Sequence, residues 1–111
     1  MELRLNIYKG NDIEKTYIAN DFRLMTGTCE DVLNLVNIDK LGTNFEDEAF
    51  AFEIFKVVLK AFNQFNPLMK QIFEGLTDEE YRRTDIKEVA MVVRDVIKFT
   101  IGQLFTVASK N

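Results

Sequence analysis

Apolar and polar positions alternate at the start of the chain: Leu3, Leu5 and Ile7 fall on one side, Arg4, Asn6 and Tyr8 on the other. A period of two is that of a strand with one buried face. Lys9-Gly10-Asn11-Asp12 supplies turn residues, and IEKTYIA (13–19) is again rich in β-branched and aromatic types. The pattern predicts a β-hairpin over about residues 2–19. A lone hairpin is marginal in water, so its Leu3-Leu5-Ile7 face must lie on the helices that follow.

Helical patterning begins near residue 29, where Thr28 precedes Cys29-Glu30-Asp31 and then Val32, Leu33, Leu35 and Val36. That order predicts a short helix with a threonine cap and an acidic first turn, stopping near Gly42. Thr43-Asn44, with Glu46 and Asp47 behind it, opens a long helix over about residues 45–65, which Asn66-Pro67 is expected to break. A short amphipathic helix, PLMKQIFE, then ends at Gly75 in the left-handed position that follows a helix. Thr77-x-x-Glu80 matches a capping box for a helix of one or two turns. Thr84-Asp85, with Asp85-x-x-Glu88 as a second box, opens the last helix, about residues 86–108. The expected fold is α+β and mainly α-helical, with the hairpin packed on a bundle of two long helices and several short ones.

A chain of 111 residues is the size of one domain, so residues 1–111 are read as a single unit. Apolar residues make up 47% of the chain and charged residues 29%, the balance of a folded protein. The net charge of −4 argues against a broad cationic surface, and nucleic acid and membrane are not expected partners. With no histidine in the chain, a Ser-His-Asp triad and any histidine-containing zinc site are excluded. Cys29 is the only cysteine, and MELRLNIYKG carries no apolar signal region, which points to a reducing cytoplasm.

Clusters that resemble chemistry have simpler explanations. Asp78-Glu79-Glu80 and Glu46-Asp47-Glu48 are acids in first helical turns, where the macrodipole favours them. Arg82-Arg83 stands where the turn of a helix-turn-helix would, but Asp85 and Glu88 at the start of the next helix would face phosphates. The glycines are isolated stops rather than a phosphate-binding loop. No enzyme activity, cofactor or metal is expected.

The aromatic residues carry more information. Six of the ten phenylalanines, Phe45, Phe50, Phe52, Phe55, Phe62 and Phe65, lie in or at the ends of the 45–65 helix. They spread its apolar arc well beyond the roughly 100° stripe sufficient for a one-sided surface helix. In the last helix the main stripe is Ile86, Val89, Ala90, Val93, Val96, Ile97, Ile101, Leu104 and Ala108, while Val92 and Phe99, with Met91 and Phe105, fall outside it. A contiguous apolar patch outside the core marks a protein contact. Phe50, Phe52, Phe55, Phe62, Val92 and Phe99 are therefore the candidate protein-binding residues, for a client or for a second copy. Read from these features alone, the chain is a small helical protein-interaction module, with a transcriptional regulatory module as the alternative.

The order of motifs adds a resemblance. LRLNIYKGNDIEKTY, then FRLMTGTCEDVLNLVNIDKL, then NPLMKQIFEGLTDEEYRRTDIKEV and a final apolar helix ending in SKN resemble the short tail assembly chaperones of long-tailed (siphovirus-type) phages and prophages of Gram-positive bacteria. The likeness spans essentially the whole chain, and its most specific pieces are Asp39-Lys40-Leu41 and Phe73 through Glu88. It implies a non-enzymatic assembly factor in the host bacterial cytoplasm that coats the tape measure protein and keeps it soluble. Such a factor promotes tail tube assembly and is absent from the mature virion. The resemblance further implies a homo-oligomer, ring or spiral, and a programmed frameshift giving a longer form that recruits the tail tube protein. Ending at Ser109-Lys110-Asn111, the chain suits the short form.

Overall fold

The computed structural model describes residues 2–36 and 48–109, with side chains as far as Thr100. The expected features at Gly42, Thr43-Asn44, Phe45, Glu46 and Asp47 lie outside the described residues, as do the side chains of Ile101, Leu104, Phe105 and Ala108. The fold is α+β and mainly helical. Strands β1 (Leu3–Lys9) and β2 (Asp12–Ala19) form an antiparallel hairpin. Helices α1 (Thr26–Leu35), α2 (Glu48–Lys60), α3 (Asn66–Ile72), α4 (Asp78–Arg82) and α5 (Ile86–Ser109) follow, with a 3-10 turn at Phe62–Phe65 between α2 and α3.

The hairpin realises the alternation of its sequence. Leu3, Leu5 and Ile7 pair with Ala19, Tyr17 and Lys15, and all three leucine and isoleucine side chains are buried. Register shifts between Ile7 and Tyr8, so that Tyr8 pairs with Ile13 and Glu14 becomes the extra residue of a bulge. At the turn, Gly10 adopts φ +64°, a conformation open to glycine without steric cost.

The outer edge of β1 is covered by the segment that starts α5. Arg83 accepts from the Tyr8 N–H at 2.8 Å through its carbonyl and donates to the Tyr8 carbonyl at 3.2 Å through its guanidinium. The Asn6 N–H donates to the Glu88 carboxylate at 3.3 Å, and the Tyr8 phenol donates to the other oxygen of the same group. A strand edge paired in this way is closed to other chains.

Several boundaries differ from the sequence expectation. Helix α1 starts at Thr26, so Thr28 is not its cap. Thr28 is buried within the first turn, where its hydroxyl accepts from the Gln71 amide of α3. Gln71 also accepts from the Met25 N–H at 2.9 Å, so the start of α1 is capped from another helix. The long helix stops at Lys60 rather than residue 65, because the backbone turns away from helical angles at Ala61. Pro67 does not break that helix; it sits in the first turn of α3, where its missing donor costs nothing.

The capping box of α4 forms as expected, with the Glu80 N–H donating to Thr77 Oγ1 at 3.1 Å and the Thr77 N–H to Glu80 Oε1 at 3.0 Å. Gly75 takes a positive φ of +90°, but in a turn closed by the Leu76 N–H on the Phe73 carbonyl, two residues beyond the α3 C-cap. The second box does not form: Asp85 caps the helix by accepting from the Lys87 N–H at 2.8 Å instead of that of Glu88, and the Glu88 carboxylate is drawn away to β1. Phe50, Ile54 and Val58 of α2, Leu68, Met69 and Ile72 of α3, and Val89, Val93, Val96 and Ile97 of α5 join the hairpin face in one core.

Candidate protein-interaction surface

Two of the six sequence candidates belong to that core and present no contact surface. Phe50 is 1% exposed, on the same face of α2 as Ile54 and Val58. Val92 is 3% exposed, because its side of α5 adjoins the hairpin: it shares a shallow depression with Leu3 and Arg4 of β1. The second apolar face on α5 is thus filled from within the chain at Val92, while Phe99 and Met91 stay exposed. Phe62 is half-buried and stacked on Tyr81, with ring centroids 4.1 Å apart and planes 9° from parallel. The Tyr81 hydroxyl donates to the Phe62 carbonyl at 2.6 Å, so this pair is packing that holds the 3-10 turn on α4.

The other three remain accessible. Phe52 is 60% exposed and Phe55 half-buried. Helical spacing sets Leu59, 59% exposed, on the same face as Phe52 and Phe55. Leu59 is absent from the sequence candidates, although its distance of seven residues from Phe52 was readable. Lys56 lies beside this ridge, its ammonium 5.3 Å from the Phe52 ring centroid and 3.0 Å from the Glu53 carboxylate. The Lys56 ammonium is thus shared between the Glu53 carboxylate and one face of the Phe52 ring.

Phe99 is half-exposed on α5 and meets Phe22 at 6.2 Å between ring centroids. Near it, Leu24, Cys29, Val32, Leu33, Leu68, Val96, Ile97 and Thr100 line a pocket of about 30 Å³ between α1, α3 and α5. Met25 and Leu33 are exposed on α1 and the residue before it. Neither was singled out from the sequence, because the α1 pattern alone does not say which side faces α5. Cys29 is a half-buried thiol lining this pocket.

The charged clusters are absorbed by structure. Glu80 accepts from the Tyr17 hydroxyl at 2.6 Å and pairs with Lys15 at 3.4 Å. The Tyr17 hydrogen bond, ahead of the Thr77 backbone N–H, holds the Glu80 carboxyl down at about 2. Asp78 is held below the usual carboxylate range by Lys70, at 2.6 Å, and then by Asn66. Arg83 donates to Glu14 of β2, and this bond lowers the Glu14 pKa. The Arg82-Arg83 pair thus lends one member to the hairpin. Among the described residues no group of three or more His, Cys, Asp or Glu side chains is placed to hold a metal ion, and no helix is long and apolar enough to cross a membrane.

Comparison with protein-family models, curated proteins and solved structures finds no match for the chain.

Proposed function

We propose that this chain is a tail assembly chaperone of a long-tailed phage or prophage, which binds the tape measure protein and keeps it soluble while the tail tube assembles around it. The motif order of the sequence supports the reading, and the observation that carries it is the ridge of Phe52 and Leu59, apolar and exposed, with the half-buried Phe55 between them packed against the core. Covering such a ridge is worth about 25 cal/mol per Å² of apolar area before the costs of ordering. One copy therefore binds a helical client weakly. Copies that also touch one another along a long client hold it firmly, since each bound neighbour then raises the effective concentration of the next. In this reading Phe99 and its surroundings provide a second contact, to client or to another copy, and a longer frameshifted form brings in the tail tube protein.

Co-expression with the tape measure protein, followed by size-exclusion chromatography with light scattering, tests the proposal. A client that is soluble only in the presence of this protein, eluting with many copies of it, is the expected result. A client that stays insoluble while this protein elutes alone overturns it.

A further inference from the structure

We draw no further inference here: the strongest candidate, the exposed Phe52 and Leu59 face of α2 read as a seam for a second copy of this chain, belongs to the surface already described, and nothing in the structure shows what covers it.

Discussion

The Tyr17 hydroxyl donates to the Glu80 carboxylate at 2.6 Å, tying the second strand of the hairpin to the first turn of α4. The same carboxylate closes the α4 capping box by accepting from the Thr77 N–H. One side chain therefore fixes both a helix start and the placement of the hairpin, and replacing either partner loosens two elements together.

That bond makes stability depend on acid. The Glu80 carboxyl lies at about 2 in the folded chain against 4.5 for an ordinary glutamate, so the unfolded chain binds its proton more readily. The stabilisation is complete above pH 4.5 and is lost as the pH falls through that value toward about 2. Tyr17→Phe removes the largest cause of the depression. It is expected to cost about 1.5–3 kcal/mol at neutral pH, as for a hydrogen bond to a charged group. Urea midpoints measured across this acid range should then fall less steeply for the variant than for the parent chain; parallel slopes would mean that the bond does not form in solution.

Tyr81 offers a second test of the interior. Its ring is buried against Phe62 and its hydroxyl meets the Phe62 carbonyl, while burial pushes its phenol well above the usual tyrosine range. Tyr81→Phe keeps the stacked rings and leaves the carbonyl without that donor. A loss of about 1–3 kcal/mol in denaturant unfolding is expected. A neutral result would place the carbonyl in contact with water.

The sequence was most legible where a contact is local. Leu3, Leu5 and Ile7 declare their shared face by alternation, and Thr77 with Glu80 declares a cap by spacing. Long-range partners leave no such trace. Nothing near Thr28 announces Gln71, and nothing near Glu88 announces Tyr8, 80 positions away, so local spacing points each only to a cap of its own helix. The burial of Val92 is hidden for the same reason. Helical periodicity correctly puts it on a second face of α5, but that the hairpin fills this face is a fact of tertiary packing.

Val92 and Phe99 consequently separate under one substitution. Val92→Ser places a hydroxyl in the core and removes buried methyl groups, with an expected cost of about 2–4 kcal/mol. Phe99→Ser acts on a side chain that is 39% exposed, so its cost is expected to be smaller, coming mainly from the contact with Phe22. Thermal or urea unfolding of the two variants side by side checks this order. Equal losses would mean that the hairpin does not cover α5 in solution.

The α2 ridge makes the sharpest functional prediction because Phe52 and Leu59 contribute little to the core. Phe52 and Leu59 are about equally exposed, at 60% and 59%, and substitutions at such surface positions usually change stability by no more than about 0.5 kcal/mol. Phe52→Ser combined with Leu59→Ser should therefore leave the unfolding curve and the far-ultraviolet spectrum nearly unchanged. If the ridge is the client contact, the same double variant loses most of its ability to keep the tape measure protein soluble, because weak binding repeated over many copies multiplies the deficit of each. Lys56→Gln serves as the control: it removes the charge over the Phe52 ring while keeping both apolar side chains, and is expected to retain most of the activity. A double variant that folds and still solubilises the client would move the contact away from α2 and leave the Phe99 side of α5 as the surface to test.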